Sequence, residues 1–234
     1  PYIVTQTLTV PTAITLKVDS GAVLKFNAGL GITVSGTMKA RKAQFTTNVT
    51  PLAKGAWSNI QVASATAVVA LDTCTVEYGG STTNGTIYAN LGTVTLNKTN
   101  ITNSLNTGIC LNTAVVNLKN SSITTSDSPF IYNSYGNVNN LGGNNFAGNK
   151  YDIANINFST VAGNWKLPTS SVPYIITQNM TVNATYTMQV DSGAVLKFNS
   201  GLGIQVSGTL KARKAQFTSN VIPLAKGSWN QIQS

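Results

Sequence analysis

The side chains that could do chemistry in this chain are few, and they restrict its function at once. Histidine, the commonest general base and a frequent metal ligand, is absent. Enzymes that cleave glycosidic bonds need two carboxylates beside the bond, and the nearest match is Asp127 with Asp152, 152 − 127 = 25 positions apart. We therefore expect no enzyme, no cofactor and no metal site. The six acids are Asp19, Asp72, Glu77, Asp127, Asp152 and Asp191.

The two cysteines, Cys74 and Cys110, show no CxxC or metal-like spacing. In a strand, Cys74 shares the inward face of Val76 two positions later, whereas Cys110 follows the inward Ile109 and points outward. This alternation predicts one buried, unreactive thiol and one exposed free thiol. It favours that state over a disulfide or a catalytic role.

Tyr88, Cys110 and Tyr132 form an outward column with a constant step of 110 − 88 = 22 positions. Tyrosine rings on a flat sheet can stack on sugar rings, with neighbouring Asn and Thr supplying hydrogen bonds, so Tyr88 and Tyr132 are candidate glycan contacts. The alternative is that the tyrosines only pack across strands. The three tryptophans, Trp57, Trp165 and Trp229, are expected to be packing anchors.

The net charge of +9, from 15 basic and 6 acidic residues, favours anionic partners such as an acidic polysaccharide or a cell-wall polymer. The alternative is that the charge only keeps the surface soluble. Lys39, Arg41 and Lys42 form the tightest basic group, and the group returns 211 − 39 = 172 positions later. No basic run is interleaved with aromatic residues, so we expect no nucleic-acid partner. No segment has the length of a transmembrane helix, and no membrane insertion is expected.

Short strands position these side chains, and a constant step of 109 − 87 = 22 positions relates the strands in the middle of the chain. A unit of that length cannot bury its own apolar face, so successive units stack as rungs of parallel sheets. The pattern predicts an all-β chain folded as a right-handed parallel β-helix, or β-solenoid, with coils of about 22 residues. The predicted inward columns are Ile87-Ile109-Ile131-Ile153, Val69-Val94-Val116-Val138, Leu71-Leu96-Leu118, Val76-Ile101-Ile123 and Cys74-Thr99-Ser121.

A longer repeat surrounds this pattern. The segment Pro1–Val62 returns 173 − 1 = 172 positions later as Pro173–Ser234, and the decapeptide Val18–Asn27 is repeated letter for letter. Within the decapeptide, Val23 and Phe26 are expected to enter the core. We interpret the decapeptide as the start of a structural module and not as an active site.

The two periods together predict the organisation of the chain. We expect one module at residues 1–172, with opening coils at 1–62, regular 22-residue coils at 63–160 and a joint at 161–172, followed by the opening coils of a second module at 173–234. Solenoid ends expose strand edges and normally carry caps. We therefore expect that the natural chain continues or that another subunit covers its end.

The stretch Leu71-Asp72-Thr73-Cys74-Thr75-Val76-Glu77-Tyr78-Gly79-Gly80 resembles a coil of secreted bacterial and archaeal right-handed parallel β-helix repeat proteins. The opening elements Pro-Tyr-Ile, Leu-Thr-Val, Gly-Ala-Val-Leu-Lys-Phe and the coil with Trp57 and Ile60 are similar to theirs. The resemblance implies the fold and an extracellular or cell-surface location. That superfamily includes adhesins, surface fibres and polysaccharide lyases, so the fold alone does not give an activity.

Taken together, these features favour a non-catalytic structural or adhesive rod that stacks with copies of itself in a tandem array or fibre. A carbohydrate-binding module with Tyr88 and Tyr132 as contacts is the first alternative. A polysaccharide lyase or hydrolase and an ice-binding protein are further alternatives. The longest outward threonine column at the 22-residue step, Thr102 with Thr124, is only two residues deep.

Overall fold

The computed structural model describes residues 1–140 and 142–234, which form strands and turns with no helix among them. In the first part of the chain the strands are β1 (Tyr2–Val4), β2 (Leu8–Val10), β3 (Thr15–Val18), β4 (Val23–Phe26), β5 (Ile32–Val34), β6 (Thr37–Arg41), β7 (Gln44–Thr47), β8 (Ile60–Val62), β9 (Val68–Asp72), β10 (Thr75–Glu77), β11 (Ile87–Ala89), β12 (Thr93–Asn97), β13 (Asn100–Thr102), β14 (Thr107–Leu111), β15 (Val115–Lys119), β16 (Ser122–Thr124), β17 (Ser128–Tyr132) and β18 (Asn137–Asn140). The later strands are β19 (Ala154–Ile156), β20 (Thr160–Val161), β21 (Trp165–Leu167), β22 (Tyr174–Ile176), β23 (Met180–Val182), β24 (Thr187–Val190), β25 (Val195–Phe198), β26 (Ile204–Val206), β27 (Thr209–Ala212), β28 (Gln216–Ser219) and β29 (Ile232–Gln233).

The strands stack in parallel sheets, and the chain winds as a parallel β-solenoid of about ten coils, most of which have three sides. This confirms the predicted all-β solenoid and its coil length of about 22 residues. Sheet A contains β1, β4, β7, β10, β13 and β16; sheet B contains β2, β5, β8, β11, β14, β17, β19, β22, β25 and β28; sheet C contains β3, β6, β9, β12, β15 and β18. In the second half, sheet D contains β20, β23, β26 and β29, and sheet E contains β21, β24 and β27.

Alternation within each strand builds the core, because successive side chains point to opposite faces. In β12, Val94 and Leu96 are buried, whereas Thr93 and Thr95 lie on the outer face. The predicted columns Val69-Val94-Val116-Val138, Leu71-Leu96-Leu118 and Val76-Ile101-Ile123 are all in register between neighbouring rungs. Sheets A and C therefore follow the repeat that the sequence shows.

Sheet B departs from that repeat in one coil, and the predicted isoleucine column is wrong there. Ile109 pairs with Phe130, while Ile131 lies outside the core as the partner of Cys110. The turn between β16 and β17 has three residues, 125–127, whereas the equivalent turn one coil earlier has four, 103–106. This one-residue difference reverses every side chain of β17. Ile153 also lies outside the column, because Ala154 is the partner of Phe130.

The opening coils pack around an aromatic pair that both copies repeat. Phe26 stacks on Trp57 with ring centroids 4.4 Å apart, and Phe198 stacks on Trp229 at 4.6 Å. Within the decapeptide the buried residues are Val18, Leu24 and Phe26, so Phe26 enters the core as expected, whereas the expectation for Val23 is wrong. Trp165 is also buried, so all three tryptophans serve as packing anchors.

Buried polar side chains tie successive coils together at the corner between sheets C and A. The backbone N–H of Cys74 donates to Thr99 Oγ1 at 3.3 Å, and the N–H of Thr99 donates to Ser121 Oγ at 3.1 Å. The Thr99 hydroxyl in turn donates to the carbonyl of Leu71 at 3.1 Å. The predicted inward column of Cys74, Thr99 and Ser121 is confirmed, and it satisfies backbone groups that the strand ladder leaves free at the corner.

We expect Thr99→Val to destabilise the solenoid by about 1–3 kcal/mol, because the isosteric side chain leaves the buried N–H of Cys74 without its acceptor. Urea unfolding followed by circular dichroism measures the change. Thr93→Val is the matched control, since Thr93 lies on the outer face of the same coil, and it should change the stability by less than about 0.5 kcal/mol. Equal effects of the two substitutions would contradict the role of the corner hydrogen bonds.

Candidate functional site

The two tyrosines that the sequence singles out do not share a surface. Tyr88 lies on the outer face of sheet B, where its hydroxyl accepts a hydrogen bond from Asn112 Nδ2 at 3.0 Å. Tyr132 is 1% exposed and packs edge-on against Trp165 and Tyr174 in the core. The expected outward pair is therefore wrong, because the shortened turn before β17 places Tyr132 in line with Leu111. Tyr132 cannot contact a glycan without unfolding its coil.

Both thiols are buried and free. Cys74 points inward as predicted, and its thiol donates to the carbonyl of Asp72 at 3.4 Å. The expected exposure of Cys110 is wrong. Its side chain points away from the core, but Tyr88 and Ile131 flank it in the adjacent rungs, and Asn133 Nδ2 lies 3.2 Å from its sulfur. Burial raises the pKa of the Cys110 thiol to about 11.

Five of the six carboxylates are held in separate local interactions. The Asp127 carboxylate pairs with Lys54 at 3.1 Å, whereas Asp152 accepts the backbone N–H groups of Asn149 and Gly148 at 2.8 and 3.1 Å. Burial alone would raise the pKa of Asp152, but these N–H donors lower it below its ordinary value. The other pairs are Asp72 with Arg41 and Asn97, Glu77 with Gln44, and Asp191 with Lys166 and Gln189.

Among the residues that the structure describes, no three His, Cys, Asp or Glu side chains come together as a metal site. Equivalent residues of the two copies differ most in exposure at the boundary between the copies. We call this boundary the junction (residues 145–176).

Equivalent residues of the two copies show what the junction does. Tyr2 is 69% exposed, but its equivalent Tyr174 is 2% exposed, and its hydroxyl donates to the carbonyl of Pro168 at 2.9 Å. Ile3 is 47% exposed, whereas its equivalent Ile175 is 2% exposed. The two equivalent apolar strands therefore differ in position: β1 is the edge strand of its sheet, whereas β22 lies between two other strands.

The covering coil comes from the end of the first module. Strands β19, β20 and β21 pair in parallel with β22, β23 and β24, so all three opening strands of the second copy gain a partner. Trp165 lies at the centre of this contact: it is buried, pairs with Met188 and packs edge-on against Phe158 with ring centroids 5.0 Å apart. Trp165 thus anchors the second copy to the first.

The junction also changes the cross-section of the solenoid. Strand β21 lies over β18, because Trp165 Nε1 donates to the carbonyl of Gly136 at 2.9 Å and the N–H of Lys166 donates to Asn137 Oδ1 at 2.9 Å. Sheet E therefore continues sheet C. Between those two strands the chain bridges from Asn145 to Ser122 of sheet A, then forms β19 in sheet B and β20 in sheet D. This coil has four sides where its neighbours have three.

As a result, two of the three strands in each coil of the second copy change sides. Strand β1 belongs to sheet A, but its equivalent β22 belongs to sheet B. Likewise β2 belongs to sheet B, and its equivalent β23 belongs to sheet D. The third strand, β24, lies in sheet E, which continues sheet C, so it stays on the same side as its equivalent β3.

The sequence predicted a joint at residues 161–172, but it did not predict the contacts of the junction. The missed contacts are those of Gly136, Asn137 and Asn140, each of which bonds to a residue 29 positions later. A signal for them existed in the alternation of Trp165 and Leu167, which marks a strand within the joint. Because this longer step differs from the regular one, a search for 22-residue spacing does not find that strand.

Comparisons with protein-family models, with curated proteins and with solved structures found no match to this chain. None of the described residues lies in a helix with the length and hydropathy that crossing a bilayer requires. The class of protein is thus defined by architecture alone. The chain is a parallel β-solenoid with a duplicated opening segment and a four-sided junction coil.

We expect neither thiol to react with a disulfide reagent such as DTNB in the native protein at pH 8, because burial keeps both protonated and inaccessible. Two thiols should react once guanidinium unfolds the chain. Since folding raises the pKa of Cys110 from 9.0 to about 11, the folded state holds this proton more tightly, and the free energy of unfolding should fall as the pH rises through that interval. Rapid native reaction of one thiol would contradict this account.

Proposed function

We propose that this protein is a non-catalytic structural rod, placed outside the cell or on its surface, whose length is set by stacking copies of the module at positions 1–172. The observation that carries the proposal is the burial of the second copy's opening face: Tyr174 and Ile175 are buried, although their equivalents Tyr2 and Ile3 are exposed. A module that presents the same docking face in every copy can be added in series.

The physical basis of such a rod is nearest-neighbour stabilisation. A parallel rung leaves backbone N–H and C=O groups and one apolar end surface unpaired until the next coil covers them. In this chain β19, β20 and β21 cover that surface with apolar side chains that include Ile156, Val161 and Leu167. Each added module would therefore be stabilised by the one before it. The partner of each module is another copy of the same module.

The extracellular placement is supported by the resemblance of the coils to secreted β-helix repeat proteins. Labelling of intact source cells with a membrane-impermeant amine reagent tests it. Labelling that occurs only after lysis would rule the placement out. An adhesive rod would also bind a ligand. The positive charge of the chain favours an anionic ligand.

The rod predicts how the molecule grows when a module is added. Seven rung steps separate β2 from β22 along sheet B, which corresponds to about 34 Å at about 4.8 Å a rung. Appending residues 63–234 after Ser234, the equivalent of Val62, should lengthen the particle by that amount at constant thickness. Small-angle X-ray scattering measures both the maximum dimension and the cross-sectional radius.

A variant of the extended chain tests whether the junction causes the particle to lengthen. The variant carries Trp165→Ala together with the same change in the added copy, which removes the anchor at both junctions. The modules should then separate. Protection of backbone amides from hydrogen exchange should fall in β22–β28 and remain in β11–β15. Tyr151→Ala is the control, since Tyr151 is exposed. A particle that thickens instead of lengthening would overturn the proposed rod.

A further inference from the structure

The positive charge of the chain is concentrated on one side of the solenoid. Ten of its 15 basic residues lie on the outer face of sheets C and E or in the turns that leave them, and all ten are exposed. We call this surface the basic face; its residues are Lys17, Lys39, Arg41, Lys42, Lys98, Lys119, Lys166, Lys211, Arg213 and Lys214.

The acids do not cancel this concentration. Asp19, Asp72 and Asp191 lie on the same side, which leaves 10 − 3 = +7 of the total +9 there. Asp72 pairs with Arg41 at 3.6 Å and Asp191 with Lys166 at 3.0 Å. Ion pairs as exposed as these hold their partners weakly, so both cations remain open to a competing anion.

The four-sided junction keeps the basic face on one side of the solenoid. Although sheet B takes over the role of sheet A in the second copy, sheet E lies directly over sheet C. Lys17 and Lys39 are neighbours in adjacent rungs of sheet C, and Lys166, Gln189 and Lys211 follow one another in sheet E. The charged residues at the two ends of the solenoid therefore lie on the same side, and between them lie Lys98, directly after β12, and Lys119, at the end of β15.

The surface between the two charged ends offers neutral hydrogen-bonding groups. Asn139 Nδ2 donates to Asn117 Oδ1 at 2.8 Å, and Asn117 Nδ2 approaches Thr95 Oγ1 at 3.4 Å, so the three side chains form a ladder across adjacent rungs. A shallow cleft lined by Asn137, Lys166 and other polar residues continues the ladder into sheet E. Amides and cations arranged in a line fit a polymer that carries both hydroxyl and anionic groups.

The approach to this face is open. Two-residue turns leave sheet C at Lys42-Ala43 and at Lys98-Thr99, whereas the long connections 48–59 and 78–86 stand at the opposite corner, between sheets A and B. Lys42 and Lys98 have left-handed backbone with φ of 49° and 48°. From β6 to β15, the turns that leave sheet C are therefore only two residues long, and a straight ligand can lie along this part of the face.

We propose that the basic face binds a linear acidic polysaccharide along the axis of the solenoid, through its cations to carboxylate groups and through the Asn117–Asn139 ladder to hydroxyl groups. The outward residues that the structure describes on sheets C and E include no aromatic side chain. Single-stranded nucleic acid binds largely by stacking its bases on aromatic side chains, so the observations favour a glycan over a nucleic acid. The inference does not depend on the rod, because a single chain carries the complete face.

The test measures binding of the whole chain to polygalacturonate by isothermal titration calorimetry at 50 mM salt. A variant with Lys17→Gln, Lys39→Gln, Arg41→Gln and Lys42→Gln should bind at least about tenfold more weakly and show a smaller salt dependence, because fewer counterions are released. The control variant, with Lys25→Gln, Lys150→Gln, Lys197→Gln and Lys226→Gln, has the same net charge and should lose less than about threefold. Circular dichroism checks that both variants fold.

Three further probes separate the alternatives. Asn117→Ala with Asn139→Ala should weaken polygalacturonate more than dextran sulfate, since only the uronate chain presents free hydroxyls beside every charge. Neutral dextran should not bind. Equal loss in the basic-face and control variants, no binding of polygalacturonate, or tighter binding of a single-stranded oligonucleotide would each overturn the proposal.

Discussion

The structure depends on one constraint: every coil of a parallel solenoid needs another coil on each side. A rung pairs its backbone groups and buries its apolar ends only against its neighbours. The ladder of Cys74, Thr99 and Ser121 shows the same dependence at a corner, where each side-chain oxygen serves the N–H of the preceding coil. Stability is therefore local and additive along the axis, which suits a molecule that grows by repetition.

The junction shows how the constraint is met when the repeat begins again. The coil that covers the second copy adds a fourth side, so that β20 opens sheet D while β21 stays over sheet C. Trp165 holds this coil together by packing on Phe158 and donating to the carbonyl of Gly136. The opening face of the module is thus covered although β22 and β23 lie in other sheets than their equivalents β1 and β2, and the basic face remains on one side of the molecule.

Most of the fold could be predicted from the sequence, because columns such as Val94-Val116-Val138 depend only on a constant step between strands. The candidate site could not be predicted, since the number of residues in a single turn decides which side chains of β17 point outward. The turn before β17 is one residue shorter than its predecessor, and the turn after β17 is one residue longer, with four residues in place of three. The slip therefore reverses β17 alone, burying Tyr132 and turning Ile131 outward, while sheets A and C keep their period.

The most direct test of this account is the rung that joins the two copies. Asn155 and Ile175 are outward neighbours in adjacent strands of sheet B, and adjacent rungs place Cα atoms about 4.8 Å apart, within reach of a disulfide. In a chain whose own cysteines are replaced by alanine, Asn155→Cys with Ile175→Cys should form an intramolecular disulfide on oxidation, seen by mass spectrometry after digestion. A reduced pair, together with a cross-link between Asn145→Cys and Ile175→Cys on sheet A, would contradict the four-sided junction.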